Sequence, residues 1–112
     1  MGTAYTYKCN KCNYEVLTSG KLDFGMLAVV DTYICKSCKA IVDVCIGEHG
    51  QVYTKKDVAK NNIKSENDLD FYCCPECVSD KNLLKWNKRN RPCPKCDGKM
   101  YKDRYAEFIL WD

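Results

Sequence analysis

Four Cys-x-x-Cys pairs constrain this chain more than any other feature of its sequence. In the first half two pairs are separated by 22 residues, and in the second half two pairs are separated by 15; the pairs are Cys9/Cys12, Cys35/Cys38, Cys74/Cys77 and Cys93/Cys96. Ten cysteines in 112 residues is a density typical of small folds held by cross-links instead of a large apolar core. The core of this protein is therefore expected to be modest.

The two-residue spacing is that of a metal knuckle. Two cysteines so spaced turn their sulfurs toward one point, and two knuckles together offer four thiolates in a tetrahedron, which suits Zn²⁺ or a single iron. Disulfides are the alternative, but the start of the sequence leads us to expect no secretory signal, and in a reducing setting repeated knuckles favour metal. We therefore predict two Zn²⁺ ions bound by eight ligands: Cys9, Cys12, Cys35, Cys38, Cys74, Cys77, Cys93 and Cys96.

The residues around the knuckles agree with this interpretation. Pro75 and Pro94 each follow the first cysteine of a pair and fix φ where the turn begins. After a knuckle the backbone often needs a left-handed conformation, for which Asn13 and Gly98 are suited, whereas Lys39 and Val78 are not. The second and third knuckles are thus expected to be less regular than the first and fourth.

Two segments resemble the knuckles of the zinc ribbon and rubredoxin families. They are Tyr7-Lys-Cys-Asn-Lys-Cys-Asn-Tyr14 and Cys93-Pro-Lys-Cys-Asp-Gly-Lys-Met100. The resemblance covers the cysteine motifs and their flanks, and it implies a small three-stranded β module with a bound metal. Because zinc ribbons serve in many assemblies, it does not imply one function.

How the four knuckles combine into two sites is left open by the sequence. Pairing of neighbouring knuckles is favoured by loop entropy, although doubling a loop costs only about 0.6 kcal/mol; interleaved pairing also satisfies the ligand count. Cys45 is expected to be a core thiol in a strand, and Cys73 lacks the spacing and the proline that mark Cys74. His49, the only histidine, falls in a turn and is expected to be solvated.

The fold class expected from these features is small, metal-stapled and mainly β, with two zinc-ribbon-like modules and one or two short helices. The first ribbon would span residues 1–54, a polar linker with a possible helix residues 55–70, and the second ribbon residues 71–112. Apolar and β-branched runs predict strands over residues 26–34, 41–46, 51–53 and 105–111. Thr54 and Asp57 predict a capped helix start, and Ser79 a second helix through residue 88.

The charge of the chain must be corrected for metal. The formal net charge is +3, but a zinc ion with four thiolates carries −2, so two such sites bring the total to about −1. Basic residues nevertheless concentrate without any acid in residues 81–91 around one tryptophan. This segment predicts a nucleic-acid contact, with phosphates bound by cations and a base on the indole; its residues are Lys81, Lys85, Trp86, Lys88, Arg89 and Arg91.

Three functions stay open at this point. The first is a non-enzymatic, cytoplasmic protein with structural zinc that contacts nucleic acid through residues 81–91. The second is a protein-interaction adaptor, with an aromatic patch from Tyr53, Tyr101 and Trp111. The third is rubredoxin-like electron transfer, which requires iron. A hydrolytic site, a small-molecule substrate and a membrane partner are not expected, because four-thiolate sites are closed and the apolar runs are short.

Overall fold

A computed structural model describes residues 2–60 and 70–111 of the chain. Within these residues there are nine strands and one short helix: β1 (Gly2–Cys9), β2 (Glu15–Thr18), β3 (Asp23–Phe24), β4 (Ala28–Cys35), β5 (Ala40–Glu48), β6 (Gln51–Val52), α1 (Lys55–Lys60), β7 (Leu83–Lys85), β8 (Met100–Lys102) and β9 (Phe108–Trp111). The predicted small, mainly β fold is confirmed. The described part contains no helix long and apolar enough to cross a membrane.

The first sheet is built around β1. This strand pairs antiparallel with β2 on one side and with both β8 and β9 on the other. Residues 2–9 include two threonines and two tyrosines, which have high strand propensity, and side chains on both faces of the strand are buried. The sheet therefore joins the beginning of the chain to its end.

The second sheet is built around the long hairpin of β4 and β5. Strand β6 adds to β5, and the short strands β3 and β7 pair one after the other with the edge of β4 that faces away from β5. Val29, Val44 and Cys35 are fully or almost fully buried here. Apolar residues of both strands thus form the core of this sheet.

Both sheets take strands from residues 1–54 and from residues 71–112, so they do not follow the division predicted from the sequence. The sheets are joined by a buried polar contact. The Asp43 carboxylate of β5 accepts hydrogen bonds from the hydroxyls of Thr18 in β2 and Thr32 in β4, and from the amide of Ser19. Bonded on both oxygens, the carboxylate can be partly buried without a large desolvation cost.

Most of the predicted elements are found. Helix α1 begins after Thr54, whose hydroxyl accepts from the Asp57 amide at 3.0 Å. The strands predicted over residues 26–34, 41–46, 51–53 and 105–111 correspond to β4, β5, β6 and β9. Residues 61–69 of the predicted linker lie outside the described residues.

The helix predicted to begin at Ser79 and to run through residue 88 is wrong. Leu83, Leu84 and Lys85 form β7 instead. Its amides and carbonyls pair with β4, where Leu83 lies opposite Cys35. Tertiary pairing at the free edge of the second sheet has overridden the local helix pattern.

Candidate metal centres

The first and fourth knuckles meet at one end of the first sheet. We call Cys9, Cys12, Cys93 and Cys96 the outer cluster, and their sulfurs all lie within 4.8 Å of one another. Cys9 ends β1 beside Met100 of β8. The Cys9 and Cys96 sulfurs are 3.4 Å apart, and those of Cys12 and Cys93 are 3.6 Å apart. This cluster is therefore assembled by the pairing of β1 with β8.

The second and third knuckles meet at the end of β4. We call Cys35, Cys38, Cys74 and Cys77 the inner cluster, and their sulfurs also lie within 4.8 Å of one another. The Cys35–Cys77 and Cys38–Cys74 sulfur distances are 3.8 and 3.9 Å. Strand β7, six residues beyond Cys77, pairs with the end of β4 and so brings the third knuckle to the second.

Neither cluster is a set of disulfides. A disulfide holds its sulfurs at about 2.05 Å, whereas the short contacts here are 3.4 to 3.9 Å. The two clusters contain the eight cysteines predicted as ligands and can each hold a metal ion.

Pairing of neighbouring knuckles, which loop entropy favoured, is wrong. The four knuckles nest: the first joins the fourth, and the second joins the third. The reason is that strand pairing decides which knuckles meet, since β1 pairs with β8 and β4 with β7. The hydrogen bonds and apolar contacts of these strands outweigh the small entropic cost of a longer loop.

Backbone amides point at the sulfurs of the outer cluster. The amides of Lys11 and Cys12 donate to the Cys9 sulfur at 3.3 and 3.4 Å, and the Gly98 amide donates to Cys96 at 3.2 Å. Burial opposes ionisation of Cys9, but these amides and the neighbouring thiols lower its pKa to about 6. For Cys96 the Gly98 amide favours the thiolate, yet burial and the neighbouring sulfurs raise the pKa to about 12.

In the inner cluster, too, one thiol has a lowered pKa and another has a raised pKa. Burial raises the pKa of Cys35, but the Cys38 amide and the neighbouring thiols lower it below its ordinary value. Hydrogen bonding with the Cys77 sulfur, together with burial, raises the pKa of Cys38 to about 12. Four adjacent sulfurs thus cannot all ionise by themselves at neutral pH, and a bound cation is the group that stabilises four thiolates at once.

The left-handed residues occur at the knuckles where the sequence was least suited to them. Lys39 and Val78, which follow the second and third knuckles, have φ of 51° and 57°. Asn13 and Gly98 are not among the residues with positive φ. The inner knuckles therefore place a lysine and a β-branched valine in a conformation that is costly for both.

The remaining candidate ligands lie outside the clusters. Cys45 is half-buried in β5 and donates to the Gly47 carbonyl, and Cys73 donates to the Phe71 carbonyl. Burial raises the pKa of both thiols. His49 lies in the turn after β5 with φ 53° and belongs to neither four-cysteine group.

The six residues predicted to contact nucleic acid differ in how accessible they are and in whether they have ion-pair partners. Trp86 is only 3% exposed, packs edge-on against Tyr7 and donates from Nε1 to the Pro92 carbonyl. A base cannot stack on an indole buried in this way, so that part of the prediction is wrong. Lys85 and Lys88 lie 3.7 and 3.2 Å from the buried Asp31 carboxylate.

The other three residues of the predicted nucleic-acid contact are better placed to meet an anionic ligand. Lys81 and Arg89 are exposed, and Arg91 is half-buried with its guanidinium carbon 5.8 Å from the centre of the Tyr7 ring. None of the three forms an ion pair within the described ranges. Of the predicted nucleic-acid contact, only these three cations stay candidates for binding phosphate, and the stacking tryptophan does not.

Comparison with known proteins gives no further identification. No protein-family model, no curated protein and no solved structure matches this chain.

Proposed function

We propose that this protein is a non-enzymatic zinc protein in which two structural Zn²⁺ ions each hold together the paired strands of one β-sheet. The observation that carries the proposal is the geometry of the clusters. Four sulfurs about 2.3 Å from a central zinc ion form a tetrahedron with edges of about 3.8 Å, and the short sulfur contacts are 3.4, 3.6, 3.8 and 3.9 Å.

The role of the metal follows from where the clusters lie. Each is embedded in one of the two apolar cores: Cys9 and Cys93 pack with Tyr7 and Trp86, and Cys35 and Cys74 pack with the valines of β4 and β5. Four protein ligands leave no open position for water or substrate, which is typical of a structural site. The metal therefore supplies folding free energy that so small a core does not.

Four thiolates in a tetrahedron suit zinc or a single iron, and we infer zinc because closed four-cysteine sites of this kind are typical of structural zinc. The rubredoxin-like alternative requires iron and makes a separate prediction. Protein purified from cells grown with both metals should be colourless and contain two zinc ions per chain. A red protein with stoichiometric iron would contradict the zinc assignment.

Removal of metal is the main test. Dialysis against a strong zinc chelator should abolish the near-UV circular dichroism of the buried Tyr7 and Trp86, and added zinc should restore it. The same chelator saturated with zinc beforehand is the matched control and should change nothing. If the near-UV spectrum and the thermal midpoint both survived removal of all zinc, the structural role would be refuted.

A protein-interaction role is the second candidate, and one feature favours it. Strand β9 pairs with β1 through one edge, and its Phe108, Ile109 and Leu110 are about half exposed. Exposed apolar side chains concentrated on one edge strand are typical of an interaction surface. A partner captured from cell extract that resists high salt, and that is lost when Ile109 and Leu110 are both changed to Ser, would support this role.

A further inference from the structure

A row of cations lies on aromatic rings along one face of the first sheet. The Lys102 ammonium is 4.1 Å from the centre of the Tyr5 ring, and the Arg91 guanidinium carbon is 5.8 Å from that of Tyr7. Tyr5 and Tyr7 are two residues apart in β1 and so share one face of the strand. Lys102 lies opposite Tyr7 in the β1–β8 pairing. The two cations are therefore neighbours on a single surface.

Two further cations join them. Lys21 follows Gly20, which lies against the Tyr7 hydroxyl so closely that a Cβ there would be 2.4 Å from it. Burial lowers the pKa of Lys102, and the charges of Arg91, Lys21 and Arg104 lower it further. None of the four cations forms an ion pair with any described residue. We call Lys21, Arg91, Lys102 and Arg104 the cationic face.

The acid nearest in sequence does not neutralise this face. Asp103 stands between Lys102 and Arg104, but its carboxylate lies 3.0 Å from the Lys8 ammonium. Because side chains alternate along a strand, Lys8 points to the opposite side of β1 from Tyr5 and Tyr7. Like charges gathered without an ion pair among the described residues repel one another, so an anionic ligand would be attracted to the cationic face.

An exposed aromatic ring borders the cationic face. Phe108 is 59% exposed, lies opposite Tyr5 in the β1–β9 pairing, and its ring centre is 6.0 Å from that of Tyr5. Opposed residues of paired strands point to the same side of a sheet, so Phe108 shares the face of Tyr5, Tyr7 and Lys102. A flat apolar platform thus lies beside unpaired positive charge.

From this arrangement we infer that the cationic face binds single-stranded nucleic acid, with backbone phosphates on Lys21, Arg91, Lys102 and Arg104 and a base stacked on Phe108. A free base is required for stacking, which favours a single strand over a duplex. The inference rests on the proposed function only in that the zinc-loaded fold must bring β8 and β9 to β1. It moves the expected nucleic-acid contact from residues 81–91 to the first sheet, with Arg91 as the residue the two surfaces share.

Binding of a fluorescent single-stranded oligonucleotide to the zinc-loaded protein tests the inference. Each phosphate contact on a single strand contributes about −0.7 to the slope of log affinity against log salt, so four contacts predict a slope of about −2.8. Lys102→Glu and Arg104→Glu should each weaken binding and make the slope shallower by about 0.7. Lys55→Glu, the same charge change on exposed α1, is the matched control and should leave the slope unchanged.

The aromatic platform is tested separately. Phe108→Ala should weaken oligonucleotide binding about tenfold, since stacking of a base on an aromatic side chain contributes about 1–3 kcal/mol. It should leave binding of inorganic polyphosphate unchanged, because polyphosphate has no base. Equal loss for both ligands, or for neither, would contradict the stacked base.

Zinc content and near-UV circular dichroism are measured on each variant, so a failed fold is separated from a failed site. If Lys102→Glu does not retain two zinc ions, Lys21→Glu in the exposed loop replaces it. No oligonucleotide binding at low salt by intact, zinc-loaded protein would overturn the inference while leaving the structural role of zinc standing. Binding lost on charge reversal of Lys81 and Arg89, and unaffected by Lys102→Glu, would overturn it in favour of residues 81–91.

Discussion

The outer and inner clusters use the same four ligands in different surroundings. In both clusters the strand pairing continues for one more residue: the Asn10 amide donates to the Lys99 carbonyl after Cys9 in β1, and the Lys36 amide donates to the Asn82 carbonyl after Cys35 in β4. At the outer cluster the Lys99 amide also donates to the Asn10 side chain. Strand pairing thus supports both clusters, and the outer one has this additional side-chain bond.

The two clusters also differ in strain and exposure. The residues that directly follow the inner knuckles, Lys39 and Val78, have left-handed conformations, whereas those that directly follow the outer knuckles do not. Cys77 of the inner cluster is the one exposed ligand of the eight. Cys74, the first cysteine of the same knuckle, is 1% exposed and lies in the core of the second sheet. A four-thiolate site can therefore include residues in costly left-handed conformations when strand pairing brings its knuckles together.

Loss of a buried inner ligand should have the largest effect. Cys74→Ser should release the inner metal and unfold the second sheet, because zinc binding of about 10–16 kcal/mol exceeds the net stability of a small domain. The matched control is Cys73→Ser, whose thiol lies outside both clusters. It should retain two zinc ions and change the free energy of unfolding by no more than about 1 kcal/mol.

Zinc stoichiometry and urea unfolding measure both variants. If Cys73→Ser lost a metal ion and Cys74→Ser kept both, the assignment of the third knuckle would be wrong.

Replacing the left-handed valine should have a moderate effect of the opposite sign. Val78→Gly removes a cost of about 1–2 kcal/mol, offset by the flexibility that glycine adds to the unfolded chain, for a net gain of about 0.5–1 kcal/mol. The Val78 side chain is 63% exposed, so little packing is lost. Asn13→Gly at the outer cluster meets no positive φ and should lose about 0.5–1 kcal/mol.

Thermal unfolding with saturating zinc measures the difference in stability between these two glycine variants. Equal destabilisation of both would show that the inner cluster carries no backbone strain at Val78.

The smallest effect is expected at the ion pair beside the outer cluster. Lys8 and Asp103 lie 3.0 Å apart, and this contact lowers the pKa of Asp103 below 3.8 and raises that of Lys8 above 10.5. A lowered carboxyl pKa stabilises the fold above pH 3.8 and loses that contribution as the pH falls through the lowered value. At neutral pH the contribution is fully present.

Asp103→Asn at neutral pH should therefore lower the thermal midpoint slightly at low salt, and high salt should remove most of the difference. Glu15→Gln, an exposed acid on β2 opposite Lys8, is the control and should have a smaller effect. A midpoint difference that did not change with salt would mean that packing, and not charge, is lost in Asp103→Asn.

Local signals in the sequence predicted the local features of the structure. The eight clustered cysteines followed from the Cys-x-x-Cys spacing, and β4, β5, β6, β9 and the start of α1 followed from apolar patterns and a capping residue. Strand β1 was missed, although the Thr and Tyr residues among positions 3–7 have high strand propensity. This strand leads directly into the first knuckle, whose metal motif is the stronger signal in that segment.

Features that depend on distant pairing could not be read in this way. The nested arrangement follows from β1 meeting β8, which are about 90 residues apart, and no local pattern encodes that contact. Residues 80–88 have a local helix pattern, but pairing with the edge of β4 makes residues 83–85 a strand. The burial of Trp86 likewise depends on a distant residue, Tyr7, against which its ring packs. Knuckle pairing in such chains is decided by tertiary contacts and not by loop length.

The nested pairing is the central claim, and one spectrum tests it directly. A proton–cadmium correlation spectrum of the cadmium-loaded protein connects each metal to the Cβ protons of its own ligands. We predict one cadmium signal coupled to Cys9, Cys12, Cys93 and Cys96, and a second coupled to Cys35, Cys38, Cys74 and Cys77. A single signal coupled to the cysteines of both the first and second knuckles would contradict the account.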